Sequence, residues 1–325
     1  MRRSGWRRLG KKRFRYVDSR GSAITDEEHL ERIASLAIPP AWTEVWISPN
    51  ARARLQATGV DAAGRKQYRY HDAFRAAQER AKYERLLDFG RRLPQLRRRT
   101  AQHLRLGPYE QEWACAIAIG VVNKTWFRVG SERHAGSART YGVTTLRKRH
   151  VSVSGDEITF CFRAKNRKLV HRSISNAALA KGIDALLDLP NGSRLLRFER
   201  DDELVALTAP MLNEYIADNL ASEYTAKDFR TWGATMAAAT LLERHDYILI
   251  GVPGKRAMLE DIAAVADRLG NTPAICRKSY IHPALLKAYE DEEAFATWKR
   301  TRRGRRVTGL SPSESRLLRY LDASP

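Results

Sequence analysis

The sequence predicts an α+β protein: a small β-rich N-terminal domain, then a larger, mainly helical domain that carries a three-stranded antiparallel meander. Three observations lead there. At 325 residues the chain has the length of two ordinary domains. Apolar residues alternate with period two around Gln67 to Tyr70 and from His150 to Ile174, and they follow helical spacing through most of the remainder. Composition is 43% hydrophobic and 29% charged, which suits a packed core and argues against a disordered chain.

Taken in order, residues 1–20 form a basic arm holding Arg2, Arg3, Arg7, Arg8, Lys11, Lys12, Arg13, Arg15 and Arg20 against the single acid Asp18. Thr25 to Ala37 reads as a helix, with Leu30, Ile33 and Leu36 at helical spacing and Pro39-Pro40 ending it. Trp46 to Ser48 reads as a short strand. Asp61 to His71 places Gln67, Tyr68, Arg69 and Tyr70 on an exposed strand behind a turn at Gly64. A helix is predicted over Ala73 to Phe89, and Gly90 to Pro94 then sets a border between residues 1–89 and residues 90–325.

In the second part, the largely apolar run Ala114 to Phe127 predicts a buried helix that delivers Arg128 at its end. HVSVSG, DEITFCFRA and NRKLVHRSI predict the meander, broken at Gly155-Asp156 and at Ala164-Lys165-Asn166. Helices follow over Ala178 to Leu187, Ala209 to Asn219, Ala226 to Leu242, Met258 to Leu269 and Pro273 to about Ile281. Thr225 with Asp228 resembles a capping box, and Thr272-Pro273 an N-cap with proline in the first turn. Residues 296–325 hold eight basic side chains against two acids and read as a basic tail.

Charge narrows the function. The formal net charge is +21, with cationic ends and a further cluster of Arg91, Arg92, Arg97, Arg98, Arg99 and Arg105. Such an excess predicts a polyanionic partner, bound through phosphates without sequence information. The most apolar stretch, Ala114 to Val122, is far short of the roughly 20 residues a bilayer span needs, and no apolar segment follows the basic arm as a secretory signal requires. Cys115, Cys161 and Cys276 lie too far apart for a disulfide framework or a zinc module, so a reducing, cytoplasmic setting fits. Gly251-Val-Pro-Gly-Lys-Arg lacks the spacing and hydroxyl of a phosphate-binding loop, and the dispersed histidines give no metal site. No metal and no nucleotide cofactor are expected.

Four segments carry candidate chemistry: FRVG around Arg128, FRAKN around Lys165, TAKDFRTW around Arg230, and LGNTPAICRKSYIHP with Asn271 and Tyr280. Taken singly, each has an ordinary reading: Arg128 a helix-end cation, Lys165 a turn lysine, Arg230 a surface or paired arginine, Asn271 a helix stop, Tyr280 a packed aromatic. Together and in this order they resemble the catalytic set of type IB DNA topoisomerases, in the small poxvirus and bacterial branch. DAAGRKQYRYH resembles that branch's DNA-contacting strand, and TYGVTTLRKRHV the stretch after its first catalytic arginine. The resemblance runs from about Phe14 to Pro283.

The resemblance implies a clamp around duplex DNA. It makes Tyr280 the nucleophile that forms a 3′-phosphotyrosyl link, Arg128 and Arg230 the ligands of the non-bridging oxygens, Lys165 the acid for the 5′-oxygen, and Asn271 a hydrogen-bond donor to the same phosphate. It also implies Gln67, Tyr68 and Tyr70 as groove and backbone contacts, with Arg65 and Lys66 on phosphates. The residue chemistry fits these roles: a phenol is a poor nucleophile at neutral pH unless cations stabilise its anion, and paired arginines present fixed charge to a phosphorane. Lysine gives up a proton far more readily than arginine. Two departures stand out. Asn271 occupies a position where the family often has histidine, so its role is electrostatic, and FRAK replaces the commoner F-x-G-K. A monomer that relaxes both signs of supercoil on nucleoid DNA is expected. A tyrosine recombinase remains open, although KDFR stands where recombinases have HxxR, as does a basic DNA-packaging protein without catalysis.

Overall fold

A computed structural model describes residues 4–11, 13–248, 251–302 and 304–324. Of the basic runs, Arg2, Arg3, Lys12 and Arg303 lie outside the described residues, as do Leu249 and Ile250 of the apolar run before Gly251. Two compact units are present, Met1–Glu84 and Arg85–Pro325.

The first unit is a five-stranded antiparallel sheet with one packed helix. Its strands are β1 (Trp6–Leu9), β2 (Arg15–Val17), β3 (Thr43–Ile47), β4 (Leu55–Val60) and β5 (Lys66–Tyr70), in the order β2-β1-β3-β4-β5. Helix α1 (Glu27–Ser35) starts at Asp26, whose carboxylate accepts the His29 N–H at 2.9 Å. Trp6, Ile33, Val45, Ile47 and Ala57 form the core. The arm expected over residues 1–20 is therefore corrected: β1 and β2 lie within it, with Trp6 and Val17 buried. A charge count hides this, because each of these short strands buries a single apolar residue and is otherwise dominated by arginine. Arg8 is itself tied down, donating to the Pro39 and Trp42 carbonyls at 3.2 and 2.5 Å.

The helix predicted over Ala73 to Phe89 is longer than expected: α2 (Asp72–His103) continues through Gly90 and Pro94. Phe89, Leu93 and Leu96 are fully buried on one face, and that packing outweighs the propensity cost of glycine and proline. Gly90 serves close approach, since a Cβ there would stand 2.3 Å from the Trp232 ring.

The second unit is built around α3 (Gln111–Thr125), buried on nearly every face, and α7 (Ala226–Leu242), which packs against it. After the short α4 (Glu132–Ser137), the meander comprises β6 (Val151–Ser154), β7 (Glu157–Arg163) and β8 (Leu169–Ser175), antiparallel in that order. Helix α5 (Ala177–Asp188) follows. The hairpin β9 (Arg197–Arg200) and β10 (Glu203–Ala206) turns on Asp201 and Asp202, both at positive φ. Then come α6 (Ala209–Asn219), α7, α8 (Gly254–Leu269), α9 (Pro273–Ser279), α10 (Pro283–Lys287), α11 (Glu292–Arg300) and α12 (Pro312–Ala323). The expected basic tail is corrected as well. Helix α12 buries Leu317, Leu318 and Tyr320, and Arg316 packs over the Trp298 ring while pairing with Asp246 at 2.7 Å. Among the described residues no helix is long and apolar enough to cross a membrane.

Candidate active site

Arg128 is aimed by the way α3 ends. Trp126 takes the left-handed conformation, φ 56°, and its N–H closes the last turn on the Val122 carbonyl at 2.8 Å. The chain then leaves extended, and the Arg128 and Val129 carbonyls accept the N–H groups of Val143 and Thr144 at 2.9 and 2.7 Å. The segment after the first arginine thus fixes that arginine's backbone. Its side chain donates from Nη2 to the Asn271 amide oxygen. Burial lowers the Arg128 pKa, while Tyr280 opposes the shift.

Arg230 lies on α7 and is only 4% exposed. Its two terminal nitrogens reach separate carbonyls, Nη1 that of Trp126 and Nη2 that of Leu269 at 3.0 Å. These carbonyls close α3 and α8, where the helix dipoles present partial negative charge. The two terminal nitrogens of a buried cation are thereby satisfied without a carboxylate. Burial first, then the like charge of Arg128, bring Arg230 down to about 10, and Tyr280 partly offsets them. At neutral pH the guanidinium stays charged.

Helix α8 stops at Gly270 in the left-handed conformation, φ 64°, and Asn271 follows with its N–H on the Ala266 carbonyl at 2.9 Å. Thr272 then caps α9, with Pro273 in its first turn, and Tyr280 sits at its far end. Thr235, on the same helix as Arg230, donates to the Tyr280 carbonyl at 3.1 Å and accepts from the His282 N–H at 3.2 Å. The Arg230 guanidinium carbon stands 5.5 Å from the centre of the Tyr280 ring. Two buried donors here have no hydrogen-bond partner among the described residues, Arg230 Nε and Asn271 Nδ2. An unpaired buried donor carries a desolvation cost that an incoming anion would relieve.

Lys165 enters on the loop joining β7 to β8. Arg163 pairs with Leu169, and the Ala164 N–H closes the loop on the Lys168 carbonyl at 2.8 Å. The positive φ values fall on Asn166 and Arg167, 61° and 58°, whereas Ala164 has φ −89°. Alanine in FRAK therefore needs no glycine-like conformation. Arg128, Lys165 and Arg230 line one cavity of about 150 Å³, together with Tyr141, Arg172 and Arg268. All five catalytic candidates thus converge: Arg128, Arg230, Asn271 and Tyr280 by direct interaction, and Lys165 through this cavity.

Strand β5 divides its candidates between two faces. Lys66, Tyr68 and Tyr70 are exposed, and the two tyrosine rings stack with centroids 6.1 Å apart. Gln67 points to the opposite face and donates to Asp61 at 2.8 Å. Arg65 is paired with the same carboxylate at 2.8 Å. Lys66 and Tyr68 also border an open groove of about 1170 Å³ on the sheet, shared with Arg7, Arg8 and Trp46.

Thr235, Arg172 and Arg268 escaped sequence reasoning. The Arg268 guanidinium stacks 3.9 Å over the Trp126 ring, and Arg172 spans two carbonyls. Thr235 sits five residues after Arg230, beyond one helical turn, Arg172 on an alternating strand reads as solvated, and Arg268 in the last turn of α8 reads as an ordinary helix-end cation, so none gave a local signal.

Known proteins resemble the chain along most of its length. Residues 13–61 match the bacterial DNA topoisomerase IB N-terminal domain, and residues 71–305 the eukaryotic DNA topoisomerase I catalytic core. The second match contains every catalytic candidate, while residues 65–70 fall between the two. The DNA topoisomerase 1B of Acanthamoeba polyphaga mimivirus is 32% identical over 293 residues, 87% of this chain and 85% of that protein. DNA topoisomerase 1B of Vaccinia virus (strain Copenhagen) and DNA topoisomerase I of Monkeypox virus are each 21% identical, over 82% of this chain and 84% of their own.

Proposed function

The chain belongs to the type IB DNA topoisomerases, and from that premise we propose how its residues divide the cutting and resealing of one DNA strand. The Tyr280 Oη attacks the scissile phosphorus, its proton passing to solvent. The bond from phosphorus to the 5′-oxygen breaks as the 3′-phosphotyrosyl bond forms, and the departing oxygen takes a proton from Lys165. Arg128 and Arg230 hold the non-bridging oxygens as charge builds on the phosphorane, and Asn271 donates through Nδ2. Religation reverses each transfer. Because the phosphotyrosyl bond retains the energy of the broken one, resealing needs no ATP.

The observation that carries this reading is the meeting of Arg128, Arg230, Asn271 and Tyr280 from separate segments, with Arg230 Nε and Asn271 Nδ2 buried and without a partner among the described residues. Between cleavage and resealing the downstream duplex rotates about the intact strand, releasing torsion of either sign. The enzyme works as a monomeric clamp on duplex DNA, in the cytoplasm on the nucleoid, with Lys66, Tyr68 and Tyr70 on the DNA and Arg65 and Gln67 in support.

Relaxation of positively and negatively supercoiled plasmid, in EDTA and without ATP, tests the reading, with a denaturing gel to find protein on a 3′ end. Both signs relax, and Tyr280→Phe gives neither relaxation nor adduct while binding DNA within about threefold of the parent, because only the reacting oxygen is lost. Relaxation by Tyr280→Phe would sink the nucleophile assignment.

A further inference from the structure

We infer that Arg172 is a positioning residue that sets where Lys165 stands against the scissile phosphate. The inference rests on Lys165 acting as the general acid. Arg172 lies on β8, the strand that leaves the Lys165 loop, opposite Phe160 of β7. Its Nη1 donates to the Thr125 carbonyl and its Nη2 to the Arg268 carbonyl, each at 3.2 Å. Arg230 takes the next carbonyl in both segments, Trp126 and Leu269. The same two helix ends are therefore bridged twice, once from α7 and once from the hairpin. Three residues beyond the carbonyls that Arg172 holds, the segments deliver Arg128 and Asn271. One guanidinium thus ties the strand carrying Lys165 to the frame that holds the other phosphate ligands.

Other contacts leave this task open. Phe160 and Phe162 pack edge-on to Phe127, with centroids 5.5 and 5.1 Å apart, which fixes the face of the hairpin but has little directional preference along the strand. The Tyr141 N–H donates to the Arg163 carbonyl at 2.7 Å, before the loop begins. Lys168 pairs with Asp267 at 2.8 Å, but both side chains are exposed, and such pairs add little. The β7–β8 ladder fixes the two strands to each other; the forked bonds of Arg172 tie β8 directionally to both helix ends, and their carbonyl acceptors leave its charge in the cavity. Lysine could keep the charge but could not span both carbonyls in a fixed plane.

The test needs a DNA duplex bearing a cleavage site mapped first on plasmid, made with either oxygen or sulfur as the bridging 5′ atom. A sulfur leaving group departs as a thiolate and needs no acid. With oxygen, Arg172→Met slows single-turnover cleavage on the order of 100-fold, the effect of a roughly 1 Å misplacement of a reacting group. With sulfur it runs within about threefold of the parent, as Lys165→Ala does. Arg172→Lys falls between them, and thermal melting with DNA binding identifies any variant that fails to fold. Equal losses on both atoms by the folded Met or Lys variant would overturn the inference, as would no loss on oxygen. Should Lys165→Ala itself gain nothing from sulfur, the general-acid reading falls first; rescue of Lys165→Ala without rescue of the Arg172 variants defeats the positioning role alone.

Discussion

Two regions of the second unit hold buried and half-buried arginines in opposite ways. Under α12, Arg97 grips Glu314 through two bonds of 2.9 and 2.6 Å, and Arg316 pairs with Asp246 at 2.7 Å. Around the cavity, Arg230 and Arg172 donate to main-chain carbonyls and Arg128 to an amide oxygen. Among the described residues none of these three, nor Arg268, forms an ion pair. A carboxylate satisfies a guanidinium and cancels its charge, whereas a carbonyl satisfies it and leaves the charge in place. The first arrangement suits a structural joint; the second suits a site that must meet a phosphorane gaining negative charge.

Supplying a carboxylate to Arg128 itself should break the contrast most sharply. Asn271→Asp keeps the shape and gives Arg128 a charged partner, so single-turnover cleavage falls on the order of 100-fold, from roughly 4 kcal/mol of charge cancellation less what screening removes. Asn271→Ala loses only a donor and an acceptor and falls about tenfold. If Asp were the milder change, the role assigned to uncancelled charge would be wrong.

The structural joint should respond in stability instead. Burial alone would raise the Glu314 carboxyl, but Arg97, the Ser311 N–H and Trp232 outweigh it and bring the group down to about 2. A carboxyl depressed in the folded state stabilises at pH above the ordinary value of 4.5, and that contribution disappears as pH falls toward about 2. Glu314→Ala, which strands Arg97, costs about 3 kcal/mol at pH 7 in urea unfolding. The gap from the parent narrows through that acid window, and cleavage per folded molecule at low temperature is unchanged. A pH-independent gap would show that packing, not charge, holds the joint.

The smallest effect belongs to the N-terminal sheet, where Asp61 neutralises Arg65. Asp61→Asn frees that charge for phosphate, tightening DNA binding a few-fold at low salt and steepening the salt dependence by about one counterion. An unchanged slope would place Arg65 away from the DNA.

What could be read from the sequence was whatever rests on local pattern. The meander, its Lys165 turn, the α6 and α7 spans and the Thr225 capping box all follow from neighbours within a few residues. What could not be read depends on distant packing. Gly90 and Pro94 look like a helix stop until Trp232 and the buried Phe89, Leu93 and Leu96 are known. Trp6 sits among arginines and gives no hint of a core strand. Arg128, Arg230, Asn271 and Tyr280 were named because their motifs occur in order, but the carbonyls that hold the arginines belong to segments tens of residues away, and no spacing rule reaches that far.

The short helix α9 has a consequence of its own. Asn271 stands just before it and Tyr280 just after, with the far end held to α7 through Thr235. The helix therefore works as a ruler between donor and nucleophile. One added residue would turn its far end by about 100° and advance it about 1.5 Å, swinging the phenol away from Arg230 while leaving the amide where it was. The interval between these two positions is thus as much a part of the reactive centre as the side chains at its ends, and it tolerates substitution far better than a change in length.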